Sequence, residues 1–494
     1  MKCFKINKLV LAIAVTSILI CSHASSTHAF SENSSTISSV PQGIKFFPKS
    51  IVSDNASGSI AYVLSNKLGM FVMHDQISGK VYDAIGKNTP VFNPIRPEIS
   101  YIGLAAGKSV VVRREKEGTS YDGAAGLVYS PDGNNLAYHA QTGANHFVVK
   151  NESKGPAFQT IANDEPILFS PDSKHIAYRG LLLKEWHVVL DDKTIAKTQG
   201  AKELVFSPDS SKLAYALREE SKWKVILDDW KSKAYNNVFR LTFSSDGKHF
   251  AFAAQDSNDF FIMADQKKNE SFDLVGSPIF DPKTSELVYS AQKKGKWFIV
   301  KGKEKGPELD AIGPYFFTFE SNHFVYSGEK DGKNYVFIDG VQSEPYEKIS
   351  LPESSPDGKR IMFFGLNGGK WIAVIDGKQG KSYEMLSFST FSPDSKTAAY
   401  IAQNDKKMTL VMNENENGWY DAAGFPVFSS DSKHIAFEAS KNDKWFLVIN
   451  GSESKIKVDN FLKNIPPKFE NGKFSVIGLN NPENPNFVQI EIYP

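Results

Sequence analysis

"LFSPDSKHIAYRG" at 168–180 returns at 427–439 as "VFSSDSKHIAFEA". The spacing of such copies decides the fold. The aromatic that closes each copy falls at Tyr62, Tyr101, Tyr138, Tyr178, Tyr215, Phe252, Tyr289, Tyr326, Phe363, Tyr400, Phe437 and Phe474. From Tyr178 onward every step is 37 residues, and the three earlier steps are 39, 37 and 40. Two further series keep the same step. One is Trp186, Trp223, Phe260, Trp297, Trp371 and Trp445; the other is Asp191, Asp228, Asp265, Asp339, Asp376 and Asn450. Three series in phase mark a repeat protein.

Within one period the pattern is that of strands. In residues 389–425, "STFS" and "TAAYIA" flank "PDS", a tight turn in which Pro fixes φ and Asp bonds the following backbone. "MTLVM" is a third strand. Sister repeats then place Asp339-Gly340, Asp376-Gly377 or Asn450-Gly451, pairs that tolerate positive φ and signal a hairpin. A fourth strand ends near "YD" or "YE", as at Tyr121-Asp122, Tyr420-Asp421, Tyr346-Glu347 and Tyr383-Glu384. Four short antiparallel strands per repeat make a propeller blade, which buries its faces only against neighbouring blades. The expected fold class is therefore all-β, a propeller of about twelve blades. The expected division is two six-bladed rings, residues 43–270 and 271–494, because a ring of twelve leaves a channel too wide for side chains to fill. One large ring is the alternative. The last repeat stops before its fourth strand, so "GIKFFPK" at 43–49 is expected to supply it and latch the ring, with the Ser-rich stretch 30–42 as a linker.

The start of the chain reads differently. Lys2, Lys5 and Lys8 precede an apolar run, "LVLAIAVTSILIC", and small-residue sites end at Ala24 and Ala29. This is the pattern of a secretory signal peptide over residues 1–29, and it predicts a periplasmic or secreted protein. Both cysteines, Cys3 and Cys21, fall inside it, so the mature chain is expected to lack disulfides. Removing three lysines leaves 54 basic against 56 acidic residues, a near-neutral balance that draws the protein neither to nucleic acid nor to an anionic membrane.

"FSPDSKHIAY" is similar to the WD-like repeat of TolB-type propellers and of the propeller domains of the prolyl oligopeptidase family. The "SPD" core recurs at Ser130–Gly133, Ser170–Ser173, Ser207–Ser210, Ser355–Gly358 and Ser392–Ser395, and is eroded at 279–283 and 319–322. The resemblance spans nearly all of residues 50–480. It implies a propeller and, by the TolB side of the likeness, a periplasmic non-catalytic protein that binds partners. The separate N-terminal α/β domain of TolB has no counterpart here.

Chemical motifs are scarce. No G-x-S-x-G pentapeptide is present, which removes the serine-hydrolase reading. His175, His249 and His434 recur at one repeat position, with His323 close to it, and read as strand-edge residues. His74, His139, His146 and His187 break the pattern, but without the spacing of a metal motif. The Asp of "SPDS" reads as a turn former, since the alternating acids of a calcium loop are missing. The Trp series reads as packing between blades in preference to a sugar-stacking ladder. Arg113, Arg114 and Lys116 sit among Glu115 and Glu117 and read as a solvated turn. The sequence therefore predicts no catalytic, cofactor or metal residues. The leading expectation is a protein-binding scaffold with an envelope or extracellular partner. The alternatives are a carbohydrate-active lyase or hydrolase with an axial site, and a surface adhesive protein.

Overall fold

The fold was obtained as a computed structural model that describes residues 30–39, 44–53, 59–75, 77–164, 167–462, 466–480 and 486–494. The expected signal peptide lies outside them. Twelve antiparallel sheets follow one another along the chain, eleven with their strands in chain order from first to fourth and the last completed by a strand from the start of the described chain. Blade 10 is representative: Met385–Phe391, Ala398–Asn404, Lys407–Met412 and Asn415–Tyr420. Its two hairpins turn on Asp405-Lys406 and Asn413-Glu414, both pairs at positive φ. That turn geometry matches the twist of the flanking strands. The predicted Asp-Gly and Asn-Gly turns at 339, 376 and 450 adopt it too.

The second strand of each blade explains why the sequence alternates as it does. In blade 10, Ala398, Tyr400 and Ala402 pack into the interface with blade 9, while Ala399 and Ile401 pack into that with blade 11. Both faces are buried, so the strand reads as a continuous apolar run with one large ring per copy. All twelve closing aromatics lie in these strands, none more than 7 % exposed.

The apolar core is divided into twelve clusters, each shared by two neighbouring blades. Two of them decide the closure. Blade 6 packs Ala251, Ala253, Ile262 and Phe272 against Tyr289, Ala291 and Phe298 of blade 7. Blade 12 packs Ile477 and Phe487 against Ile60, Tyr62 and Leu64 of blade 1. The chain is one twelve-bladed ring. The expected pair of six-bladed rings fails because the unbroken 37-residue step fills the outgoing face of blade 6 as it does every other, leaving nothing to close back on blade 1.

The latch exists, but a different segment forms it. Ser31–Ser39, inside the expected linker, pairs antiparallel with Asn486–Tyr493 as the outermost strand of blade 12. Phe30 packs against the cluster between blades 11 and 12. The Glu32 carboxylate accepts hydrogen bonds from Ser454 Oγ at 2.8 Å and from the backbone N–H groups of Lys455 and Ile456 at 3.0 and 3.2 Å. Lys45–Phe46, from the segment expected as latch, instead joins the inner edge of blade 1. Serine composition misled because a strand paired along one edge needs no apolar alternation.

The repeat's polar residues hold the ring together. Ser392 Oγ donates to Asp394 Oδ1 at 2.7 Å, and the Asp394 N–H donates to Ser432 Oγ of the next blade at 2.9 Å. The same inter-blade bond joins Asp132 to Ser173, Asp172 to Ser210 and Asp357 to Ser395. On the opposite face the acid of "YD" clasps neighbours. Asp421 pairs with Lys407 of blade 10 and accepts the Asn442 N–H of blade 11 at 2.9 Å. Among the described residues no helix is long and apolar enough to cross a membrane.

Candidate binding surface on the axial wall

In a repeat protein the side chains that recur serve the repeat, so function is sought where they stop recurring. The recurrent histidines are structural. Nδ1 of His175, His249 and His323 lies 2.5, 2.7 and 2.5 Å from Oδ2 of Asp191, Asp265 and Asp339, and Asn450 Nδ2 donates to His434 Nδ1 at 2.8 Å. Each pair ties the first turn of its blade to the last. The irregular histidines scatter. His139 Nε2 meets His146 Nδ1 at 2.8 Å, and burial, then the neighbouring imidazole, pushes His139 down to about 4. His187 packs on the Phe158 ring at 5.5 Å, and His74 Nε2 lies 3.8 Å from the Asp75 carboxylate. Among the described residues no three His, Cys, Asp or Glu side chains gather as a metal requires. Trp186, Trp223, Trp371 and Trp445 sit partly buried against inter-blade clusters. The basic turn is no free patch: Arg114 pairs with Glu98, and Arg113 Nη1 donates to Asn151 Oδ1 of blade 3 at 3.0 Å.

One position does not recur. First strands of neighbouring blades touch one another and form the axial wall, as Met385–Phe391 does with Ala422–Phe428. Every first strand is interrupted. Six carry a register shift, and six are split into two short pieces. Bulges bend a strand and re-aim one side chain. The interruption falls twelve residues before the buried aromatic, which gives Gly126, Glu203, Arg240, Ser277, Pro314, Leu351, Phe388 and Phe425 in blades 3, 5, 6, 7, 8, 9, 10 and 11. Where neighbouring positions repeat, this one runs through nearly every chemical class.

The wall has two arcs. From blade 5 to blade 8 the polar groups satisfy each other. Glu203 Oε2 accepts the backbone N–H of Arg240 at 2.9 Å, Arg240 Nη1 donates to Ser277 Oγ, and Tyr315 O–H donates to the Ser277 carbonyl. From blade 9 to blade 11 the wall is apolar and open. Leu351 is 66 % and Phe388 43 % exposed, and the Phe388 and Phe425 rings stand 4.5 Å apart. Phe388 and Phe425 hold φ of 51° and 38°, a conformation that costs a side-chain-bearing residue about 1–2 kcal/mol. Blade 3 meets the same requirement with Gly126, at φ 66°. Strain kept under the exposed Phe388 and its half-buried neighbour, where Gly126 serves in blade 3, marks a surface maintained for something other than folding.

Two carboxyls flank this pair. Glu353, on the inner strand of blade 9, is exposed; desolvation raises its carboxyl against a lowering hydrogen bond from Ser389, the residue after Phe388. Glu438 lies opposite Gly424 on blade 11, 5 % exposed, with Oε1 buried and without a hydrogen-bond partner. Burial pushes it up to about 8. A Cβ on Gly424 would stand 3.3 Å from Glu438 Oε2 and 3.7 Å from the Phe388 ring. The bare glycine leaves carboxyl and ring on either side of one small space. None of these residues was singled out by the sequence reading, although counting twelve back from each aromatic would have exposed the series.

No family model matches the chain, and no curated protein matches it. Solved structures do resemble it. A eukaryotic initiation factor is 14 % identical over 74 % of this chain and 96 % of its own, with a TM-score of 0.37. The Dos1 propeller is 13 % identical over 56 % and 88 %, with a TM-score of 0.30. TolB from Acinetobacter baumannii is 15 % identical over 52 % and 80 %, with a TM-score of 0.24. At these scores they lend this chain neither activity nor partner.

Proposed function

We propose that this protein is a non-catalytic scaffold that binds a protein partner through the open arc of its axial wall, in blades 9 to 11. The observation that carries this reading is the exposed Phe388 and the half-buried Phe425 packed on it, both held at positive φ in a series that changes from blade to blade. Loops and strand ends on a rigid frame are where recognition concentrates, and exposed aromatics are common anchors of interfaces. The signal-like residues 1–29 favour action in the periplasm or outside the cell, with an envelope or extracellular protein as partner.

The test is photo-crosslinking in the native host, with benzoylphenylalanine at Leu351, at Phe388 or, as control, at Val341 on the outer edge of blade 8. One recurrent protein adduct at both axial positions and none at Val341 is expected. Adducts that form equally at Val341 would sink the axial reading. No adduct anywhere, with turnover of a glycan by the purified protein, would favour the enzyme alternative.

A further inference from the structure

We propose that the Phe388–Phe425 pair, with Glu353 and Glu438 at its sides, is a subsite for one basic side chain, Lys or Arg, of the bound partner. The inference rests on the scaffold reading and names the chemistry by which that surface chooses its partner.

The composition of the subsite argues for a cation. The Phe388 and Phe425 rings pack on one another at 4.5 Å, and the electron-rich face that Phe388 leaves exposed attracts an ammonium or guanidinium more strongly as water is excluded. Two carboxyls stand beside them, and among the described residues no charged group acts on either; burial alone accounts for the shift of Glu438. Elsewhere the same strand position is resolved internally. Arg179, its equivalent in blade 4, pairs with Asp164 and stacks on Trp186, and His139, its equivalent in blade 3, meets His146. Glu438 alone of these three is left without a partner. A buried acceptor without a donor costs the fold free energy, and a donor brought by a partner recovers it. An anionic ligand would bring no donor to Glu438 Oε1, and a neutral donor would gain nothing from the ring face.

The free carboxyl of Glu438 holds its proton at neutral pH, so capture of a cation there releases a proton to solvent. No covalent step is involved. Burial is the sole cause of the raised carboxyl, and no titratable group faces it from the first strand, Ala422–Phe428, or the third, Lys444–Ile449, of its blade. The arriving charge is therefore what shifts its titration.

The probe is agmatine, which carries the guanidinium and alkyl stem of arginine. Side-chain carboxyl resonances of the 13C-glutamate-labelled mature protein are titrated against pH with and without it. Agmatine is expected to lower the Glu438 midpoint by about one unit or more, a tenfold preference for the ionised form. Glu438→Gln should abolish agmatine binding, and Glu353→Gln, at an exposed site that the fold does not need, should weaken it several-fold. A Glu438 midpoint unmoved by agmatine, or binding that survives both substitutions, overturns the subsite. The axial crosslink at Phe388 reports on the scaffold separately. An adduct whose captured peptide lacks Lys and Arg would refute the subsite and leave the scaffold standing.

Discussion

The seam between the two chain ends can be locked. Ser35 lies opposite Gln489 across the pairing of Ser31–Ser39 with Asn486–Tyr493, at a separation that antiparallel partners share with disulfides. Cys3 and Cys21, the chain's two cysteines, lie in the segment expected to be removed, so S35C/Q489C would have no competing thiol. The bond would close a loop of some 450 residues, and chain entropy values such a closure at about 6 kcal/mol. If the ring melts as one unit of about 460 residues, its unfolding entropy is about 1 kcal/mol per degree, so the oxidised form should melt about 6 °C above the reduced one. The assay is calorimetry with and without reductant, with mass spectrometry to count free thiols. Thiols that stay free under oxidant would mean that Ser31–Ser39 does not sit on blade 12. An intact bond with no change in melting would mean that the ring does not come apart at this seam.

Three further outcomes follow from named residues. The turn aspartates are held low by the serine hydroxyl and the backbone N–H that bond them, with Asp132, Asp357 and Asp394 each down to about 2. Their stabilisation is present above the ordinary aspartate range and is lost as pH falls toward 2. Asp394→Asn should lower the melting temperature at pH 6 and flatten its fall between pH 5 and pH 2, measured by circular dichroism. Phe437→Ala removes a ring that is 1 % exposed and should cost about 3–5 kcal/mol in denaturant titration; a loss under about 1 kcal/mol would contradict its place in the core. Glu438 runs the other way. Its carboxyl, ordinarily near 4.5, titrates at about 8 in the fold, so the fold loses stability as pH rises between those values, by about 3 kcal/mol at pH 7. Glu438→Gln should match the parent near pH 4 and melt above it at pH 8, and equal melting at pH 8 would mean that the carboxyl reaches water.

Blade count and strand order were legible because the residues that make them recur. Tyr400 and its eleven equivalents, the Asp-Gly turns and the "SPDS" serines each answer a need that every blade has, so their spacing announces them. Ring closure was not legible in the same way. It depends on whether the face leaving blade 6 meets blade 7 or blade 1, and Phe272 looks the same in sequence whichever it meets. The latch escaped for a related reason: Ser31–Ser39 contributes backbone bonds and the Glu32 carboxylate, and backbone bonding leaves no mark on composition.

The axial wall is not legible in the sequence because its residues do not repeat. The eight residues from Gly126 to Phe425 stand at one structural position, and only Phe388 and Phe425 are alike, so a search for recurring motifs passes over them. At five of the eight, Gly126, Glu203, Arg240, Phe388 and Phe425, the constraint is backbone geometry, a positive φ that glycine accepts without cost. Where Glu203 fills it, the side chain joins blades 5 and 6 through the Arg240 N–H, and the strain is offset by a bond. Phe388 and Phe425 have no such bond and expose apolar surface besides. Among the described residues no polar partner offsets that cost. The same is true of Glu438, buried beside them without a donor. Two independent deficits at one place, one of strain and one of an unmet acceptor, point outside the molecule for what balances them. A basic side chain laid on the exposed Phe388 ring, with a donor turned to Glu438, would cover the one and bond the other.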